Sequence, residues 1–539
     1  MVVSAAERKA KEKVKEILGE IPFTAELYWL IRQGGKSLKS RFSLKNFETA
    51  LPSLYAEASE LRQAAKNGRQ VFIFATLHYW IEHAALIGMA LAARGERVTL
   101  GFLPYDNWQT PINRFDLRRQ NAYARGVLKG AAPLMETVSF MNVRTHRALP
   151  EEIIEAVRQV SMYDAQYTLQ MEEVDTSSDI YRLRFERNLD AALAAYAWFK
   201  ARRPDVVIVP NGTLQELGVV YRVARSLNIP TVTYEFGDQR QRIWLAQNAE
   251  VMRQETDSLW KARKNDPLTT DQLERVRSLF VARQKATLWE NFSRRWQGTP
   301  SQGGKQVRAE LGLDSRPIVL LATNVLGDSL TLGRNIFTHS MAEWISRTVQ
   351  YFAGRTDVQL VIRVHPGEVL THGLSMVEVV RQVLPKLPEH IRLIAPTDTI
   401  NTYDLIEIAD VGLVYTTTVG LEMAMSGLPV IVAGQTHFRG RGFTHDVDSW
   451  VNYFKTLGPM LDKPAQHRLS RAQVDLAWQY AYRFFFDYPR PFPWHLVRAW
   501  EDYRQNPLKS VFSPQGVATY GATFDYLVGE PLDWRKIED

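Results

Sequence analysis

The sequence predicts an α/β protein of two domains, each a parallel sheet covered by helices, facing one another across a cleft. Two observations carry this. Short apolar runs alternate with helix-length segments over residues 71–102 and 205–234, and the same rhythm returns over 317–433. Between these blocks lies Gly298 to Gly304 (GTPSQGG), where turn formers cluster as in a linker. With 539 residues, 45% hydrophobic content and 14 tryptophans, the chain can build a large core in each domain. The expected organisation is a helical segment at 1–67, one α/β domain at 68–304 and a second at 305–470. Residues 471–539 then form an aromatic-rich helix that packs back across both domains.

Residues 1–48 hold ten Lys or Arg and six Glu, a net charge of +4 out of +7 for the whole chain. Alternating Glu and Lys make a solvated helix the simpler expectation, and contact with anionic lipid the second. Gly34-Gly-Lys-Ser37 imitates a P-loop, but Leu30 stands where that motif needs glycine and no strand precedes it. Val71 to Ala75 then reads as a buried strand, Tyr79 to Arg94 as a helix and Arg97 to Phe102 as a strand. His78 falls at the first strand's carboxyl end, where α/β sheets bind ligands; it is a candidate base, with a hydrogen-bonded structural role equally open. Asn107 to Tyr196 reads as largely helical and polar. Asp205 to Pro210 is a strand, Thr213 to Leu227 a helix, and Thr231 to Tyr234 a strand running into Glu235-Phe-Gly-Asp238. Carboxylates at a strand's carboxyl end suit proton abstraction, so Glu235 and Asp238 are candidate catalytic residues, with solvated turn acids as the alternative. Residues 250–305 read as helix ending in the linker.

In the second block, Pro317 to Thr323 and Val358 to Val364 are strands, the first closed by Asn324. Arg363 and His365 fall on one face at the second strand's end, where both can supply donors to a phosphate. Val411 to Tyr415 leads into Thr416, Thr417 and Thr418, a helix to about Ser426, and the strand Val430 to Ala433. The turn offers backbone N–H groups and hydroxyls to a phosphate. Glu422 follows Thr418 by four residues, off the capping-box spacing, and is a candidate for ribose or sugar hydroxyls; a merely favourable helix position is the alternative. His437, Arg439 and Arg441, in a glycine-rich loop, are candidate clamps on the substrate. Asp446-Val-Asp448 has the spacing of metal-dependent sugar transferases without their preceding apolar strand, so no metal site is assigned.

The chain has no cysteine, which excludes disulfides, thiolate metal sites and a cysteine nucleophile. GxGxxG is absent, and no basic run interleaved with aromatics suits nucleic acid. The first residues lack the apolar run of a signal peptide and no stretch reaches bilayer length, so a cytoplasmic protein is expected, with peripheral membrane contact within reach of its charge.

Two facing Rossmann-like domains are the architecture of the GT-B glycosyltransferases. TNVLGD (Thr323–Asp328), VHPGE (Val364–Glu368), YTTTVGLEMAMSGLPVIVAG (Tyr415–Gly434) and THFRGRGFT (Thr436–Thr444) resemble bacterial capsule and surface-polysaccharide biosynthesis proteins. The His-Pro pair with a hydroxyl-rich turn also resembles sialyl-, Kdo- and CDP-glycerol transferases. That resemblance, over about residues 315–450, implies that His365 and Thr416 to Thr418 hold a nucleotide phosphate without a metal. It further implies a nucleotide-sugar co-substrate, no other cofactor, and a glycan or lipid-linked acceptor. The acidic motif of the sialyltransferases has only Glu235 and Asp238 as an approximate match. A UDP-sugar 2-epimerase and a catalytically inactive GT-B subunit of a polysaccharide complex are the alternatives.

Overall fold

A computed structural model describes residues 5–33, 42–145, 148–295 and 298–536. The P-loop imitation at Gly34–Ser37 lies outside them. The amino-terminal sheet is built from β1 (Gln70–Thr76), β2 (Arg97–Leu103), β3 (Met135–Ser139), β4 (Val206–Pro210), β5 (Thr231–Glu235) and β6 (Arg242–Gln247). The carboxy-terminal sheet is built from β7 (Ile318–Ala322), β8 (Gln359–Arg363), β9 (Ile391–Ile394), β10 (Val411–Val414), β11 (Val430–Val432) and β12 (His445–Asp446). A late strand, β13 (Arg490–Pro491), returns to pair antiparallel with β6.

The two sheets share one strand order. The first runs β13-β6-β5-β4-β1-β2-β3 and the second β12-β11-β10-β7-β8-β9. Within each, the order 3-2-1-4-5-6 is that of a doubly wound nucleotide-binding fold, parallel throughout except at β6 and β13. This is the GT-B architecture expected from the sequence. Each sheet has a switch point, between β1 and β4 and between β7 and β10, where the connections diverge and open a crevice.

The strands read as continuous apolar runs because helices cover both faces: Val71 to Ala75 and Ile318 to Leu321 are almost wholly inaccessible. Helix His78–Ala93 is buried nearly all round, which its unbroken apolar sequence requires. β3 lies within a stretch that reads as helical from the sequence; METVS is an edge strand with two buried residues and little alternation to betray it.

The helices Asp257–Arg263 and Thr270–Gln284 precede the linker but join the carboxy-terminal core. There Leu259, Trp260, Val276, Leu279 and Phe280 pack with Tyr480, Phe484 and Phe485. The linker is itself pinned: Gln302 N–H donates to Asp404 at 2.8 Å and Gly304 N–H to Glu407 at 2.9 Å. The final segment then packs with the amino-terminal core through Phe492, Trp494, Tyr503 and Phe524.

The two halves also touch beside the cleft. Glu172, just beyond helix Glu151–Leu169, accepts from Met341 N–H at 2.6 Å and Ala342 N–H at 2.8 Å, the first turn of helix Met341–Ala353. Gly327 approaches Gln166 so closely that a Cβ there would stand 2.4 Å from its carbonyl oxygen.

Candidate active site

Both sheets turn the carboxyl ends of their strands toward the cleft. On the amino-terminal side Glu235 ends β5. Its carboxylate accepts from Asn211 Nδ2 at 3.0 Å and from Phe236 N–H at 3.0 Å. Asn211, at the end of β4, holds a positive φ of 58° and accepts from Thr213 and Leu214 N–H, so its side chain is fixed before it reaches Glu235. Burial raises the Glu235 carboxyl above the usual range, with these two bonds opposing. Solvent still reaches it, as expected at a cleft wall. The same charge reaches Tyr79 and Tyr167; burial first, then Tyr167 and Glu235, push the Tyr79 hydroxyl up to about 12.

From Tyr167 the site crosses to the other domain. Burial and then Asp328 raise its hydroxyl; Asp328 lies in the loop after β7, where burial raises its carboxyl and Arg294 opposes. Arg294 pairs with Asp238 at 2.8 Å. Arg294 also acts on His365, whose ring is pushed down to about 4 by burial, then by Arg363 and Arg294. Arg294 thus pairs directly with Asp238, and longer-range charge effects link Glu235 to Tyr79 and Tyr167, Asp328 to Tyr167, and Arg294 to Asp328 and His365.

His365 has a defined proton. Gly367 N–H donates to its Nδ1 at 3.0 Å, so Nδ1 is the acceptor and the neutral ring carries hydrogen on Nε2. The ring is exposed to solvent yet enclosed by protein, the environment of a cleft. Its backbone N–H is held by Thr323 Oγ1 at 3.0 Å. Across the second switch point, Thr416 N–H donates to Asn324 Oδ1 at 3.2 Å, while the buried Thr416 Oγ1 has no protein partner among the described residues. Thr417 Oγ1 accepts from Val419 N–H at 3.4 Å; Thr418, the first residue of the turn into helix Val419–Met425, makes no side-chain cap. A neutral imidazole N–H, an orphaned hydroxyl and two ordered backbone turns can together donate to phosphate oxygens.

Other expected site residues are placed elsewhere. Arg363 is buried and donates to the carbonyls of Ala395 at 2.8 Å and Asp398 at 3.5 Å, which bind the loop after β9. Alternation puts it beside His365 in sequence, but those carbonyls take its guanidinium. Glu422 is 4% exposed and accepts from Arg283 Nη1 at 2.6 Å, so a ribose has no access to it. His437 is buried, stacked on Phe484 at 3.7 Å, with Nδ1 against Tyr480 hydroxyl at 3.0 Å. Arg439 donates to the carbonyls of Val432 at 3.0 Å and of Val447, closing its own loop. Arg441 ties the loop to Asp257 and Thr256. The clamp loop is thus an internal brace.

His78 sits at the amino-terminal switch point after Leu77, a non-glycine residue at φ 63°. Burial lowers its ring, with Asp106 opposing, and its buried Nδ1 has no partner among the described residues. Asp446 and Asp448 cap turns: Asp446 accepts from Gly440 N–H at 2.6 Å, and Asp448 from Asn452 Nδ2 at 2.6 Å. Among the described residues no three His, Asp or Glu side chains gather as metal ligands.

Tyr79, Tyr167, Asn211 and Arg294 carry no motif and were not expected from sequence; Asp328 closes the TNVLGD stretch but was assigned no role there. Only their position could have drawn notice, because Tyr79, Asn211 and Asp328 follow strand ends.

The family model for capsule polysaccharide biosynthesis proteins matches residues 293–483, a span that holds Arg294, Asn324, His365 and the threonine turn. No curated protein matches the sequence. Among solved structures, the beta Kdo 2,4 transferase KpsC of Thermosulfurimonas dismutans is similar at 18% identity and TM-score 0.36, over 54% of this chain and 82% of that one. A UDP-GlcNAc 2-epimerase from Neisseria meningitidis, bound to UDP-GlcNAc, is similar at 12% identity and TM-score 0.26, over 77% and 99%. These scores are too low to carry correspondence of residues. Residues 293–483 are thus similar to capsule polysaccharide biosynthesis proteins, within a chain of GT-B architecture.

Proposed function

We propose that this protein is a glycosyltransferase of capsule or surface-polysaccharide synthesis. It moves a sugar from a nucleotide-activated donor to a glycan or lipid-linked acceptor, without a metal ion. The observation that carries the reading is the chain of charge effects linking Glu235 to His365 through Tyr167, Asp328 and Arg294, one wall offering a base and the other a phosphate site.

The roles follow from the chemistry. Glu235, with its raised carboxyl, is the stronger base for that elevation and removes the proton from the acceptor hydroxyl. His365 Nε2–H and Thr416 Oγ1–H donate to the donor's phosphate oxygens as charge builds on the leaving nucleotide. Because His365 is neutral, it donates without itself titrating near neutral pH. Arg294 supplies positive charge close by, steadied by Asp238. This arrangement leaves the donor's base and sugar open. The expected setting is cytoplasmic, with the acceptor presented at the inner face of the membrane.

Thermal-shift measurements against CMP, CDP, UDP, GDP and dTDP test the phosphate site, because a ligand of the folded state raises the melting temperature. One nucleotide should stabilise the wild type, and His365→Ala should lose most of that shift. No shift with any of the five would sink the reading.

A further inference from the structure

We propose that Trp108, Tyr167 and Tyr79 form a shelf on which a neutral sugar ring of the acceptor stacks, beside Glu235. The proposal rests on the transferase reading and names the acceptor's chemistry. In the amino-terminal sheet β5, β4, β1 and β2 lie side by side. Their carboxyl ends bring Glu235, Asn211, the pair His78–Tyr79 and, a few residues beyond β2, Trp108 to one edge. Tyr167, near the end of helix Glu151–Leu169, closes the group; its ring lies 6.4 Å from that of Trp108, inclined at 43°. The rings of His78 and Tyr79 meet edge to face at 5.4 Å.

The loop that carries Trp108 is held from beneath by buried charge. Arg187, 5% exposed, donates to the carbonyls of Asn107 and Thr110, each at 2.8 Å, and lies over the Tyr105 ring at 4.2 Å. Arg184, wholly buried, reaches the Trp108 carbonyl at 3.5 Å and is neutralised by Asp164 at 3.0 Å and Glu216 at 2.8 Å. Charges buried in this way return little net stability for their desolvation, yet they fix the loop's course. Asn107 Oδ1 completes the turn, accepting from Gln109 N–H at 3.1 Å and Thr110 N–H at 2.8 Å. The framework positions a half-buried Trp108, whose enclosed indole N–H has no partner among the described residues. His78 Nδ1 is enclosed and unpartnered in the same sense.

Aromatic faces beside carboxylates and unfilled donors suit a saccharide. The C–H face of a pyranose packs on an aromatic ring, while its hydroxyls need donors and acceptors at the ring's edge. Trp108 Nε1–H and the tyrosine hydroxyls can donate, and Glu235 and Asp106 can accept. Charge argues against an anion. The charges that reach Tyr79, Tyr167 and His78 are those of Glu235, Asp328 and Asp106, and no Lys or Arg among the described residues joins them. A phosphate or sugar acid would meet repulsion there. Ring geometry argues against a nucleobase, which stacks best in a parallel slot, whereas these ring pairs meet at 43° and 90°.

The test is fluorine NMR of the full chain grown with fluorotryptophan, the Trp108 line being assigned by its loss in Trp108→Phe. Methyl glycosides of glucose, galactose, mannose and N-acetylglucosamine are titrated beside methyl glucuronide, glycerol phosphate and cytidine. At least one neutral glycoside should shift the Trp108 line saturably. Tyr167→Ala should weaken that binding about tenfold, and Trp108→Phe, which keeps a stacking face, should retain most of it by saturation-transfer NMR of the glycoside. Should Tyr167→Ala not fold, Tyr79→Ala, at a ring 38% exposed, carries the same expectation. No response of the Trp108 line to any neutral glycoside overturns the proposal. So does tighter binding there of the glucuronide, glycerol phosphate or cytidine, or glycoside binding unchanged in the tyrosine variants. Nucleotide melting shifts read the other wall. Shifts retained with no glycoside bound sink the shelf alone, whereas glycoside bound with no nucleotide shift keeps the shelf and sinks the transferase reading.

Discussion

Glu235 holds its carboxylate where burial opposes ionisation, and two predictions of opposite sign follow. As a base it must be deprotonated, so turnover should fall as pH drops through its raised value; Glu235→Gln should lower the rate by about 10²–10⁴-fold. A carboxyl raised in the folded state favours folding while protonated, and that contribution is lost as pH rises through the folded value. Glu235→Gln should therefore melt higher than wild type at neutral pH, and the gain should vanish in acid. Loss of activity with a lower melting temperature would mean a structural acid instead. At Gly367 the question is space: a Cβ would stand 2.8 Å from His365 Nδ1 and 3.0 Å from Cε1. Gly367→Ala should tilt the ring and weaken nucleotide binding about tenfold by calorimetry, with little change in melting. At this scale the sequence was legible where the backbone sets position. Asn324, His365, Thr416 and Glu235 all follow strand ends, and strand ends can be read. Glu422, Arg363 and His437 depended on partners remote in the chain, such as Arg283, Ala395 and Phe484, which no local pattern announces.

Among elements, the buried pair Arg283–Glu422 joins helix Thr270–Gln284 to helix Val419–Met425, the helix behind the threonine turn. Both side chains are at most 4% exposed, so removing one partner strands charge in the interior. Glu422→Ala should cost about 3–5 kcal/mol, measured by denaturant unfolding, and Glu422→Gln less, since it keeps a hydrogen-bonding oxygen. If Glu422 instead served a ribose, the same variants would weaken nucleotide binding and leave unfolding nearly unchanged. Both parallel sheets were readable because strands buried on two faces are unbroken apolar runs. β3 was not, since an edge strand with mixed exposure has no such run. Nor was the allegiance of helix Thr270–Gln284, because its apolar stripe says only that it packs, and Phe484 and Phe485, some 200 residues later, decide against what.

For the whole molecule, the question is what sets the distance between the two walls of the site. Glu172 reaches across and accepts from two N–H groups at the start of helix Met341–Ala353, adding to the cap that Ser340 supplies from within. Burial raises its carboxyl, and the two N–H bonds hold it down. Each such charged bond is worth about 1.5–3 kcal/mol, enough to bias an interdomain equilibrium by about tenfold or more. The proposed phosphate site lies within one domain, whereas the proposed base, Glu235, lies in the other. Glu172→Ala should therefore leave nucleotide affinity by calorimetry close to wild type and lower turnover, as Glu235 and His365 are held apart for more of the time. Small-angle scattering of the variant should show a larger radius of gyration that added nucleotide only partly restores. An unchanged radius with reduced turnover would mean that Glu172 caps a helix and nothing more, and that the walls are held by contacts such as Gly327 against Gln166.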